Sequence, residues 1–235
     1  MANWFTDTGR VEQAVPLLRK ALKTNPDHAE VHWELGYAYR FAGMLEESVA
    51  EGERARELDP GVKISSSAMN AYLYLREYEK FLASLPASSE AAFIFFYRGF
   101  GEYHEKKWNL ATRDFNRAYE IDPALLQAQV GKALSHGVAN QSTQGLQILH
   151  HAEARIRERG VGDSEAIYKI AQAYAVLGDH VSALRVLRNS IERGFFASPY
   201  FMTDPLLDSL RSNPEFTALM KVAERRHQEF QKKFF

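Results

Sequence analysis

Val11, Leu17, Leu18 and Leu22 recur at helical spacing through an otherwise polar run, the pattern of a helix with one apolar face that needs a neighbour. That run, VEQAVPLLRKALKTNP, aligns without a gap on LEESVAEGERARELDP further along. Ala14 then matches Ser48, Leu18 matches Gly52, Ala21 matches Ala55 and Pro26 matches Pro60, each pair 34 residues apart. Small side chains returning at fixed offsets predict helices whose axes cross closely, because anything larger than Ala, Gly or Ser would hold them apart. Leu35 and Tyr39 are expected to fill the gaps between. Pro60 and Pro123 each follow Asp and are expected to end a helix, since Pro interrupts the hydrogen-bond ladder and disfavours helix in the residue before it.

The same frame returns downstream. KWNLATRDFNRAYEIDP places Ala111, Phe115, Ala118 and Pro123 at matching offsets, and SEAIYKIAQAYAVLGDHVSALRVLRNSI supplies Ile170, Ala171, Tyr174, Gly178, Ala183, Leu187 and Ser190. Between them, Ala133, Gly145, Leu149 and Ala152 keep step. With Leu35, Gly36, Tyr39, Gly43, Ser48, Ala55 and Pro60, the 34-residue period resembles the tetratricopeptide repeat, with Gly52 standing where that family has a ring. The resemblance implies an all-α solenoid of antiparallel helix pairs, about five and a half repeats over residues 1–193, followed by capping helices over 194–235. Residues 62–90 are irregular: the second helix there is expected to stop early at Pro86, with Ser88 or Ser89 as N-cap of the next.

After Ile191 the pattern changes. Gly194 is expected to end a helix, and Asp204-Pro205 and Asn213-Pro214 each to begin one. This ending resembles an ERGF…DPxLDxLRxxPxFxxL tail found on bacterial tetratricopeptide arrays. It implies a cap in which Phe195, Phe196, Tyr200 and Phe201 cover the last repeat. It also implies a setting in a bacterial signalling protein, where such arrays follow a kinase, a nucleotide cyclase or a transcription regulator. The N-terminal edge carries no comparable cap, so pairing with another chain there is a further expectation.

Composition narrows the partners more than the fold. The 29 Lys and Arg nearly balance 30 Asp and Glu, so no global field favours nucleic acid or an anionic membrane. The absence of Cys removes disulfides, thiol nucleophiles and thiolate zinc sites. The start lacks a basic segment followed by an apolar run, and no stretch of about 18 apolar residues occurs; a cytoplasmic chain is expected.

Catalytic signals are missing: the sequence has no phosphate loop, HExxH helix or GxSxG elbow. RGFGEY, with Gly99 and Gly101, fits a helix better than a dinucleotide loop. His150, His151 and Glu153 form a tight group, but neighbouring His residues on a helix diverge by about 100°. Arg155, Arg157 and Arg159 alternate with Glu153 and Glu158, as a solvated face does. The segment RRHQEFQKK mixes acids with bases on a capping helix. No enzyme, cofactor or metal is expected.

What remains is the inner face that the family resemblance assigns to first helices. It would carry Glu30, Trp33, Glu34, Tyr37, Arg40 and Phe41, then Ser66, Ser67, Asn70, Leu73 and Tyr74, then Phe93, Phe96, Tyr97, Phe100, Tyr103 and His104, with Lys169 in the last repeat. Places that hold Lys and Asn in carboxylate-binding relatives carry Trp33, Tyr37, Phe93 and Tyr97, which disfavours such a ligand. Two readings stand. The rings pack internally, or they anchor a protein or peptide partner, with Trp33, Tyr37, Arg40, Phe41, Asn70, Tyr74, Phe96, Tyr97, Phe100 and Lys169 as the binding residues. The second predicts a non-catalytic interaction scaffold.

Overall fold

The computed structural model describes residues 2–61, 69–159 and 163–235, and among them every regular element is helical. Six antiparallel pairs follow one another: α1 (Ala2–Asp7) with α2 (Val11–Thr24), α3 (Ala29–Phe41) with α4 (Leu45–Leu58), and α5 (Asn70–Tyr74) with α6 (Tyr78–Ser84). Then come α7 (Ala92–His104) with α8 (Trp108–Ile121), α9 (Leu126–Val138) with α10 (Ser142–Arg159), and α11 (Ser164–Val176) with α12 (His180–Glu192). The tail adds α13 (Ser198–Phe201), a 3₁₀ turn (Pro205–Leu210) and α14 (Pro214–Phe234). No described helix is long and apolar enough to cross a membrane.

Small residues do set the helix spacing. A Cβ on Gly36 would lie 2.9 Å from the Ser48 carbonyl oxygen, and Ser48 Oγ donates to the Gly36 carbonyl at 2.7 Å. Ser190 Oγ likewise donates to the Ser164 carbonyl at 2.7 Å. Gly99, inside α7, faces the Phe115 ring and the Ala111 carbonyl, which settles RGFGEY as a crossing point. α4 and α8 stop at Leu58 and Ile121, just before Asp59-Pro60 and Asp122-Pro123. The third pair is cut to five and seven residues. The cap before α7 differs from expectation: α7 starts at Ala92 with Ala91 as N-cap, and Ser89 Oγ only accepts from Ala91 N at 3.3 Å.

The tail behaves as expected at its helix starts. Asp204 accepts from Leu206 N and Asn213 from Glu215 N, each with Pro in the first turn. It does more than cap the last repeat, because it returns to the beginning of the chain. Phe196 N donates to the Phe41 carbonyl at 2.9 Å, His227 Nδ1 pairs with the Ala42 carbonyl at 2.7 Å, and Arg19 Nη1 donates to the Phe234 carbonyl at 2.8 Å. Gly9 and Gly194, both at positive φ, meet backbone to backbone, and a Cβ on either would overlap the other segment. The N-terminal edge is therefore covered within the chain, and Val11, Ala14 and Val15 are fully buried. Leu17, expected in that core, is exposed.

The last repeat departs most from expectation. Every residue of α11 from Ser164 to Ala175 is buried. A helix buried on all sides is a central helix, and the earlier pairs coil around it.

Candidate functional site

Burial of α11 decides the fate of the expected inner binding face. Tyr37, Arg40, Phe41, Asn70, Tyr74, Phe96, Tyr97, Phe100 and Lys169 are each at most 8% exposed. Trp33 alone of the ten is half-buried, stacked on Tyr37 at 5.8 Å. Ser66 and Ser67, expected on the same face, lie outside the described residues. As surface contacts for a partner in this closed form, the nine buried residues are corrected. The face exists, but α11 occupies it, because a chain that coils this tightly brings its last repeat into its own concavity.

The contact is polar. Arg40, on α3, grips Glu165, on α11, with two parallel bonds: Nε to Oε1 at 3.2 Å and Nη2 to Oε2 at 3.0 Å. Asn70 Nδ2 donates to Glu165 Oε1 at 3.1 Å and to Tyr97 OH at 3.2 Å, and Tyr74 OH also donates to Glu165. Lys169 Nζ, one helical turn from Glu165, lies 3.5 Å from its Oε1 and donates to Tyr74 OH at 3.1 Å. Arg40 stacks on the Tyr37 ring at 4.8 Å, and Tyr37 OH donates to Asp7 Oδ1 at 2.7 Å. One carboxylate thus links the second and third pairs to the last, and Asn70 extends the network to Tyr97 of the fourth.

Burial opposes charge on Glu165, but Arg40 and then Lys169 outweigh it and hold the carboxyl down at about 2. Burial pulls Lys169 down despite Glu165, and it raises Tyr37, Tyr74 and Tyr97 far above the ordinary phenol value. A second network lies alongside. Tyr168 OH donates to Asp204 Oδ2 at 2.6 Å, and Gln172 Nε2 reaches the same oxygen at 2.6 Å and Tyr200 OH at 2.9 Å. Tyr200 stacks on Tyr74 at 4.0 Å. These bonds tie groups in place and expose no nucleophile.

Glu165 and Gln172 were not singled out from sequence, and Asp204 and Tyr200 were expected only as a helix start and a capping ring. A signal was present: SEAIYKIAQAYAV carries only Ser164, Glu165, Lys169 and Gln172 among apolar or small residues, too few for a helix with a solvated face.

The other candidates fall to structural roles. Glu153 accepts from Tyr174 OH at 3.0 Å and pairs with Arg185, while His150 Nδ1 contacts the same Tyr174 hydroxyl at 3.0 Å. Among the described residues no group of three or more His, Asp or Glu is placed to hold a metal. In the tail segment RRHQEFQKK, Arg226 binds the Ile191 carbonyl and holds α14 to α12, while His227 binds the Ala42 carbonyl and serves the closure.

Clefts remain on the outside. One, of about 530 Å³, is lined by Phe95, Arg98, Arg113, Asp114, Asn116, Arg117 and Glu120 on α7 and α8. Asp114 is 1% exposed and holds both Arg98 Nε and, at 2.8 Å, Arg113 Nε. The guanidinium of Arg98 lies 4.6 Å above the Phe95 ring and that of Arg117 5.9 Å. Three guanidinium groups thus share one buried carboxylate and one ring, with Glu120 at 3.4 Å from Arg117. A second cleft, of about 370 Å³, is neutral, with Tyr119, Gln129, His136, Gln144 and Gln147 among its lining. A third, of about 500 Å³, lies over α3 between α2 and α4.

A family model described as tetratricopeptide repeat matches residues 5–62. No curated protein sequence matches the chain. Among solved structures, MamA (41-end) from Desulfovibrio magneticus RS-1 is similar, with 14% identity, a TM-score of 0.52, and coverage of 68% of this chain and 93% of that one. A tetratricopeptide repeat protein from Parabacteroides merdae ATCC 43184 gives 18% identity and a TM-score of 0.49, covering 95% and 96%. YrrB, described as a TPR protein with an unusual peptide-binding site, gives 20% identity and a TM-score of 0.44, covering 83% and 96%.

Proposed function

We propose that this all-α repeat chain, whose residues 5–62 match a tetratricopeptide-repeat model, is a non-catalytic protein-interaction scaffold whose partners dock on its outer clefts. The observation that carries this reading is the occupancy of the inner face by α11, which leaves the outside as the accessible surface. The arginine cleft is the principal contact in this proposal. Its guanidinium groups are oriented by Asp114 and Phe95, and oriented guanidinium groups suit a carboxylate-bearing segment of a partner protein. Binding there depends steeply on salt, since exposed ion pairs are screened.

The test is affinity capture from a lysate of the source cells at two ionic strengths, with wild type beside Arg113→Glu/Arg117→Glu. Loss of the captured partner with an unchanged melting temperature supports the reading. Capture that survives both the double substitution and moderate salt sinks it.

A second reading keeps Trp33, Tyr37, Tyr97 and their neighbours as anchors in an opened array. It is favoured by buried polar atoms without a hydrogen-bond partner along that face: Trp33 Nε1, Asn70 Oδ1 and both ring nitrogens of His104. A partner held that way is lost on Trp33→Ala and is nearly indifferent to salt. The regulatory setting beside a kinase, cyclase or transcription regulator rests on the resemblance of the tail, and the coding sequence upstream tests it.

A further inference from the structure

The cleft between α2 and α4 already has a guest. Its lining runs Arg19, Leu22 and Lys23 on α2, Leu35 and Tyr39 on α3, Glu47, Ala50 and Glu51 on α4, and then Phe235 from the far end of the sequence. Arg19 organises the contact. Its Nε donates to Tyr39 OH at 2.9 Å, its Nη1 donates to the Phe234 carbonyl at 2.8 Å, and its guanidinium lies 4.9 Å from the Phe235 ring and 5.8 Å from the Phe234 ring. The Phe235 ring tilts against Tyr39 at 5.4 Å. A main-chain carbonyl held by a fixed donor and an aromatic side chain set against an aromatic floor are the two elements of peptide recognition in a groove.

The fit is partial. Phe235 stays 58% exposed while the cleft keeps a volume of about 500 Å³. A residue needed only for packing would be covered further, and the open volume leaves room for a longer or better-seated segment. The cleft lies on the outer side of the array, between the second helices of the first two pairs, and none of its lining residues belongs to the Arg40–Glu165 network.

We propose that this cleft is a second partner-binding site, which takes the last turn of a helix presenting an aromatic side chain next to a main-chain carbonyl left outside the helical ladder, and that Phe234-Phe235 at the end of α14 is its occupant in cis. Phe234-Phe235 thereby competes with the partner, and the tail that closes the array also guards this groove. The proposal rests on the scaffold reading only in taking the outer surface as the binding surface, and its test uses a synthetic peptide, so its failure leaves the arginine cleft untouched.

The probe is a fluorescent Lys-Lys-Phe-Phe peptide, the sequence of residues 232–235, titrated by anisotropy. Against Phe234→Ala/Phe235→Ala the apparent affinity is expected to rise about tenfold or more over wild type, because an occupant that fills the site most of the time lowers apparent affinity by the fraction left free. Adding Arg19→Ala, or Ala50→Trp to fill the exposed floor, is expected to abolish the gain. Equal binding by wild type and the double variant, or binding indifferent to both Arg19→Ala and Ala50→Trp, overturns the proposal. If the double variant loses its cooperative melt, Phe235→Ala alone gives the same reading, since that ring is mostly exposed.

Discussion

Replacing Arg40 with Ala tests the closure directly. The side chain is fully buried, donates two bonds to Glu165 and lies over the Tyr37 ring. Its loss leaves a buried carboxylate facing Asn70 and Tyr74 with its main charge partner gone and Lys169 as the remaining one. Breaking one side of a buried ion pair costs about 3–5 kcal/mol, which for a chain of this size lowers the melting temperature by about 6–20 °C. Because the pair joins α3 to α11, the loss is also expected to loosen the coil. Small-angle scattering then reports a radius of gyration above the roughly 18 Å expected of a compact chain this long. Replacing both partners, Arg40→Met with Glu165→Met, removes the stranded charge and is expected to recover most of the stability. Urea titrations of wild type, both single variants and the double variant complete the cycle. A cost for Arg40→Ala below about 1 kcal/mol, together with unchanged scattering, refutes the claim that this pair holds the array shut.

Three further perturbations probe other joints. Gly194→Ala puts a Cβ into Gly9 at a φ of +110° and is expected to cost about 1–3 kcal/mol or more, with faster amide exchange in α1 and α14; a melt equal to wild type counts against the backbone contact. Gly36→Leu drives a side chain into the Ser48 carbonyl and is expected to cost about 1–3 kcal/mol, read as a shifted urea midpoint, and an unchanged midpoint removes the close crossing of α3 and α4. Burial raises Glu102 from its ordinary 4.5 to about 7. The unfolded chain therefore ionises this group first, so its contribution to stability falls as pH rises from about 4.5 to 7. Glu102→Gln is expected to flatten that slope, and a slope unchanged in the variant assigns it elsewhere. Glu165 runs the other way: its contribution holds above about 4.5 and fades as pH falls toward 2.

The repeat and its helix ends were legible in the sequence because they depend on local chemistry. Pro60 and Pro123 stop a ladder wherever they stand, Asp204 and Asn213 cap the turns that follow them, and Gly36 with Ser48 at a fixed offset implies a close crossing whatever lies beyond it. Of the ten residues expected on the inner face, Arg40, Asn70, Tyr74 and Lys169 meet around Glu165, while Phe96 stacks on Phe100 and packs against Phe115. Their accessibility was a different matter. Whether a solenoid stays open depends on the small rotation between successive pairs, and the short elements near residues 70–84 and at the start of the tail change that rotation without leaving a period to read. Only the tertiary structure brings Glu165 to Arg40 across 125 residues, Gly194 to Gly9 and Phe234 to Arg19. Those contacts turn an apparent peptide groove into a core and move the accessible chemistry to the outer clefts, because side chains that a repeat presents to its concavity face whatever the chain's own coiling puts there.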